Sequence, residues 1–159
     1  MRVYSVRMDR VAISAAVTLV QLKAGTASTL RILRAWVSQH SMSSSAMQSV
    51  QILRKSAAAT VTSFTPLLID PGDAASNMVS STSGTGYNAS AEGTDGDILV
   101  TDNFNVLNGW LWVPTPEERI IVAPSGILAL KFPDAPPSES LSPAVSMTTS
   151  AGFLVGEEG

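Results

Sequence analysis

The sequence predicts an all-β domain, built as an antiparallel sandwich, barrel or jelly roll, and three observations carry that prediction. Short apolar or alternating runs rich in Val, Ile, Thr and aromatics recur along the chain. Clusters of Gly, Pro, Asn and Asp separate them at the spacing of turns. No stretch sustains the helical period of about 3.6 residues. The 159 residues suffice for one domain with its own core, and roughly eight to ten short strands are expected.

Residues 2–14 read as one or two strands and residues 17–22 as the next. Arg2, Arg7 and Arg10 ahead of the apolar-leaning stretch 11–22 also suggest a secretory leader. Asp9 in its basic region, Lys23 at its cleavage zone, and Ser14 and Thr18 within the run argue for strands instead. Gly25-Thr26 marks a turn before a long strand at 29–38, where Leu30, Ile32 and Trp36 fall on one parity and Leu33, Ala35 and Val37 on the other. Small polar residues at 40–48 form a loop, and strands follow at 49–55 and 57–64. Pro66 and Pro71-Gly72 make turns, with a short helical turn expected at 73–77. The Gly/Ser-rich stretch 80–96 reads as a flexible loop or a thin edge strand. Residues 97–106 form a strand, Asn108-Gly109 a hairpin turn, and 110–113 the returning strand. Strands at 119–123 and 127–132 flank the Ser125-Gly126 turn. A proline-rich connection over 133–143 leads to the last strand, 144–155.

Charged residues make up 14% of the chain and mean hydropathy is +0.22, against roughly 25% charged residues in an average soluble domain. A surface so poor in charge suggests that part of it is covered in an assembly; the competing account is that the abundant Ser and Thr keep it soluble. The late strands at 98–100, 110–113, 120–122 and 127–130 are apolar on both parities, which predicts a second buried face supplied by a neighbouring subunit. No run of about 18 apolar residues occurs, so no membrane association is expected. Residues 1–55 hold eight Lys/Arg and one acid, whereas the remainder holds two Lys/Arg and twelve acids. Either this polarity steers one surface onto a complementary one, or early and late strands interleave and neutralise each other within the subunit. The basic residues are scattered and lack an aromatic-basic module, so no nucleic-acid partner is expected.

Catalytic and metal chemistry have little to work with. Cysteine is absent and His40 is the single histidine, so neither a disulfide nor a zinc site is expected. Serine is too frequent for a Ser beside His40 to indicate a triad. Asp95 with Asp97, and Glu117 with Glu118, have the types needed for general acid–base work, but such pairs are more often solvated loop carboxylates. Glu92, Asp95, Asp97 and Asp102 are rich in oxygen yet lack calcium-loop spacing. The region 80–102 therefore stays open among flexible loop, edge strand and weak ion site. Gly84-Thr85-Gly86 opens no helix and is not expected to hold phosphate. The sequon Asn88-Ala89-Ser90 has meaning only in a secreted chain. No catalytic, cofactor or metal residue is assigned, and the chain is not expected to be an enzyme. Trp110 and Trp112 share a strand parity and could stack on a sugar or base together with Trp36; packing in the core or at a subunit interface is the preferred role.

Several segments together carry a resemblance. Residues 27–39 (ASTLRILRAWVSQ), residues 50–55 (VQILRK), the turns Thr65-Pro66-Leu67 and Asp70-Pro71-Gly72-Asp73, and above all residues 102–106, 109–111, 114–122 and 124–126 resemble the small jelly-roll decoration, or cement, proteins of tailed bacteriophage capsids. The likeness runs in order through residues 1–135 and rests on strands and turns. It implies a single jelly-roll-like antiparallel β-sandwich over residues 1–159. It further implies a homotrimer bound to the major capsid protein on the capsid exterior of the virion, at or near three-fold axes, after synthesis in the host cytoplasm. The family has no catalytic residues to carry over. Two alternatives share the fold: a head-fibre or tail-associated virion protein, and a trimeric carbohydrate- or ligand-binding module.

The partner-binding candidates are Arg2, Val3, Tyr4, Val6, Arg7 and Arg10, together with Trp110 and Trp112. Residues 1–10 are basic and β-prone, and two readings stay open for them. They form an extended arm that adds a strand to a neighbour, or they form the first strand of the subunit's own sheet.

Overall fold

The computed structural model describes residues 1–138 and 146–159. Twelve strands are present among them: β1 (Arg2–Ile13), β2 (Val17–Lys23), β3 (Thr29–Gln39), β4 (Met47–Ala57), β5 (Thr60–Ser63), β6 (Leu67–Leu68), β7 (Gly86–Ala91), β8 (Thr94–Asn105), β9 (Trp110–Trp112), β10 (Ile121–Val122), β11 (Ile127–Phe132) and β12 (Met147–Glu158). The described helical structure is one 3₁₀ turn, Pro116–Glu118. Sheet A has the order β10-β3-β12-β1-β6, with β9 also paired to β3, and sheet B the order β5-β7-β2-β11-β4-β8. Neighbours come from opposite ends of the chain, as in β1 with β12 and β2 with β11, and their pairing is antiparallel. Setting aside β5, β6 and β7, this is the wrapped order of a jelly-roll sandwich.

Alternation explains which faces meet. In β1, Tyr4, Val6 and Met8 are buried while Arg7 and Asp9 are exposed. Phe153 and Val155 of β12, Leu30 and Ile32 of β3, and Leu128, Leu130 and Phe132 of β11 join them in the core between the sheets. Strands β3 and β12 slip register between Leu154 and Val155. That slip moves Ala35 and Val37 onto the inner face with Leu30 and Ile32, and leaves Arg34 and Trp36 outside. Even parity alone, which grouped Trp36 with Leu30 and Ile32, therefore fails at this bulge.

The chain between β4 and β8 builds a crossing ribbon. β4 pairs with β8 as far as Ala57↔Thr94. The ladder then continues as β5 with β7, from Thr60↔Ala91 to Ser63↔Gly86, and β7 pairs with β2 through Val20↔Tyr87 and Gln21↔Gly86. The ribbon thus leaves the β4 side of sheet B and lands beside β2, crossing the face that points away from the main core. The Gln21 side chain fastens the crossing: its amide donates to Gly84 O at 2.6 Å and its Oε1 accepts from Ala59 N at 2.9 Å. Leu53 and Ala129, paired across β4 and β11, are fully covered although they stand outside the inter-sheet core. The second apolar parity of residues 127–130 is therefore buried by the chain's own ribbon, not by a neighbour.

Other expectations change as well. Residues 2–10 are the first strand of sheet A, paired with β12 from Arg2↔Glu157 onward, and not a free arm; burial of Tyr4 and Val6 fixes them there. Residues 73–77 form no helical turn, and the Gly/Ser-rich 80–96 contains β7 and the start of β8. The turn at Asn108-Gly109 is real, with Gly109 at φ 70°. It joins β8 of sheet B to β9 of sheet A, so it changes sheets instead of closing a hairpin. The last strand runs Met147–Glu158, and the expected connection and strand start at residues 139–145 lie outside the described residues.

Candidate interaction surfaces

The face of sheet A that points away from the core is broad, apolar and basic. Its rows follow from the registers: Arg7↔Gly152, Gly152↔Trp36 and Trp36↔Leu111 make one, and Arg31↔Ile121 lies in another. A Cβ on Gly152 would stand 2.4 Å from the Trp36 ring, so that glycine lets the indole lie across β12. The Arg34 guanidinium sits 5.1 Å from the Trp36 ring centroid, a cation–π arrangement. Around this pair Leu111, Val113 and Ile121 are 64%, 62% and 45% exposed. Leu67 ends the Arg34 row of the same face through Ser5↔Leu67, exposed Leu68 and Ile69 continue along that edge, and a separate exposed group is Ile98 with Leu99 on β8.

The partner-binding candidates divide on this map. Tyr4 and Val6 belong to the core, and the Tyr4 hydroxyl donates to Ala74 O at 2.8 Å. Trp110 is also a core residue, with its indole N–H on Asp102 Oδ2 at 3.0 Å, and Trp112 packs against the same cluster. Tyr4, Val6 and Trp110 are covered by their own subunit, while Trp112 is half-buried against it, so Trp110 and Trp112 do not form a shared exposed stacking platform. Arg2 lies 3.6 Å from the buried Glu157, Val3 is half-buried, and Arg10 is exposed at a bulge with φ 52°. Of the set, Arg7 and the half-buried Val3 lie on the outer face of sheet A, Val3 in the row of Gly156, Arg31 and Ile121. Trp36 and Arg34 were missed as a surface because only the register slip in β3 turns them outward, where Leu111 of β9 pairs with Trp36. His40 is exposed, and the neighbouring Ser41 hydroxyl is engaged with Ser146 O and Thr148 N.

The carboxylates at 92 and 95 form an ion cluster with two lysines. Lys55, whose side chain has no exposed surface, places Nζ 2.6 Å from Asp95 Oδ1, 3.5 Å from Glu92 Oε2 and 2.7 Å from Glu92 O. Lys131 Nζ lies 2.6 Å from Asp95 Oδ2 and 3.4 Å from Glu92 Oε2. Thr18 donates its N–H and its hydroxyl to Glu92, both at 2.7 Å. Partial burial pushes the Glu92 carboxyl up, but the Thr18 hydrogen bonds and the two lysines outweigh it and hold it below its ordinary value. Asp95 is likewise held down by Lys131 and Lys55 against its partial burial. The lysine balances the same way: burial lowers Lys131, and its bonds to Asp95 and Glu92 raise it on balance. The cluster pins the ribbon where it crosses sheet B, and these are not solvated loop carboxylates. Lysines already occupy the oxygens a cation would need, so EDTA or millimolar calcium is expected to leave the melting temperature unchanged. A clear calcium-dependent rise, reversed by EDTA, would contradict this assignment.

No known protein family, no curated protein and no solved structure matches the chain.

Proposed function

We propose that the chain is a structural virion protein of a tailed bacteriophage, a capsid decoration protein that binds the outer surface of the head and stabilises capsomer junctions as a homotrimer. One observation carries the reading: a single charge-poor jelly roll exposes apolar residues on two separate surfaces, sheet A from Trp36 and Leu111 to its edge at Leu67 to Ile69, and β8 at Ile98 with Leu99. Single exposed apolar residues are ordinary, but clustered ones mark contact sites. A clamp needs more than one adhesive surface, because it must hold neighbouring subunits at the same time. The resemblance of residues 1–135 to capsid cement proteins supports the same reading.

The physics of such a clamp is burial. Apolar surface removed from water contributes about 25 cal/mol per Å², while exposed ion pairs add only about 0–1 kcal/mol each. In a homotrimer some of the exposed apolar groups would serve the contacts between copies and the others the shell, with charged neighbours setting orientation and apolar burial supplying affinity. Trimerisation multiplies weak shell contacts through effective concentration. The test is cosedimentation of the purified chain with undecorated heads, followed by heating. Binding that raises the temperature of head rupture is the expected result; absence of binding at low ionic strength overturns the proposal.

A further inference from the structure

We propose that the outer face of sheet A is a docking surface for a second copy of this chain, which lays its edge strand β8 across it. The inference deepens the reading above and rests on it only in taking the chain as an assembling protein. Charge complementarity argues for this occupant. The face carries Arg7 and Arg34 around Trp36, Leu111, Val113 and Ile121. Among the described residues neither Arg7 nor Arg34 has an acidic partner, whereas Arg2 and Arg31 are held by Glu157 and Glu158. β8 has the opposite sign and the same mixture: Asp97, Ile98 and Leu99 are consecutive and exposed. It ends the strand order of sheet B, bonded to β4 on one side.

A strand edge so exposed invites pairing, and acidic residues limit which partner it accepts. Two β8 edges pairing antiparallel about Ile98 and Leu99 would set Asp95 opposite Asp102 twice, with like charges directly opposed. A basic, apolar face removes that conflict. The dimensions also suit. Sheet A consists of the long strands β3, β12 and β1 flanked by the short β9, β10 and β6; at about 4.8 Å spacing and about 3.4 Å per residue the face covers about 700 Å², close to the roughly 800 Å² on one side of a standard interface. Face against edge is a heterologous contact, so it closes into a ring when the rotation between copies permits. The homotrimer would be such a ring.

Sedimentation velocity of the full chain over a concentration series, at low and high salt, tests this. The wild type is expected to sediment as an oligomer that weakens with salt. Arg34→Glu and Asp97→Arg, both at exposed positions, are each expected to weaken self-association about tenfold or more. The double variant Arg34→Glu/Asp97→Arg is expected to recover part of it, because the charges are exchanged across the contact. Circular dichroism confirms folding, and Leu111→Asp probes the same face if Arg34→Glu unfolds. A wild type that stays monomeric, or single variants that assemble like the wild type, overturns the inference. A chain that decorates heads as a monomer overturns it, together with the homotrimer, while sparing the proposed decoration of heads; a chain that assembles as described but binds no head does the reverse.

Discussion

Replacing Lys55 with methionine is expected to lower the unfolding free energy by about 2–3 kcal/mol. Breaking a buried ion pair by removing one partner costs about 3–5 kcal/mol, because the other charge is left uncompensated. The expected loss is smaller here for two reasons. The side chains of Glu92 and Asp95 are about one-third exposed, and Lys131 remains beside both. Methionine keeps the apolar length of the lysine beneath the ribbon, so the measurement reports mainly the lost ammonium group. Denaturant unfolding of the two proteins at neutral pH checks it; a difference below about 0.5 kcal/mol, the scale of an ordinary surface change, contradicts the assignment of Lys55 as the anchor of the crossing.

The same cluster sets a pH dependence whose direction is fixed. Glu92 and Asp95 titrate lower in the folded chain than in the unfolded one. Their stabilising contribution is complete above the unfolded values, near pH 4, and is lost as the pH falls through the folded ones. Lys131 titrates higher when folded. Its contribution is complete below about pH 10.5 and is lost as the pH rises through its folded value. Stability should therefore decline at both extremes, and the acid limb should be shallower in Lys55→Met.

Gly86→Ala is expected to destabilise the domain by about 2–3 kcal/mol, near the upper end of overpacking penalties. Strand β7 lies between β5 and β2, and a Cβ at residue 86 would stand 2.2 Å from Thr62 O and 2.6 Å from Val61 Cγ2. The first obstacle is backbone in a paired strand, so relief requires parting the β5–β7 ladder. Gly72→Ala is the control, because its nearest neighbour is the Asp70 carboxylate at 3.3 Å on an exposed turn. That side chain can move, and little change in melting temperature is expected there. Equal effects of the two substitutions would contradict the description of the ribbon as a tightly fitted strap.

The strands were legible where alternation or apolar runs were strong, as in β3, β4 and β11. β7 was not, since GYNASA has the composition of a loop and its strand conformation comes from lying between β2 and β5. The sequence also showed apolar residues on both parities of 127–130, but not that the covering layer would be the chain's own ribbon, which depends on contacts far apart along the chain. The basic first strand illustrates the same limit: Arg7 reaches the outer face of sheet A while Tyr4 and Val6 enter the core. Half of the charge asymmetry question is answered similarly, since Arg2, Arg31 and Lys55 meet acids from the later part of the chain. The docking face was illegible because it depends on the register slip that turns Arg34 and Trp36 outward and on the close approach of Gly152 beneath the indole.

Quantitative mass spectrometry of purified phage particles carrying the chain tests the central claim most directly, by comparing its copy number with that of the major capsid protein. A decoration protein is expected in numbers comparable with the shell subunits and should be released together with loss of head stability. Its absence from the particles, or a few copies confined to the tail or a single vertex, would contradict the account.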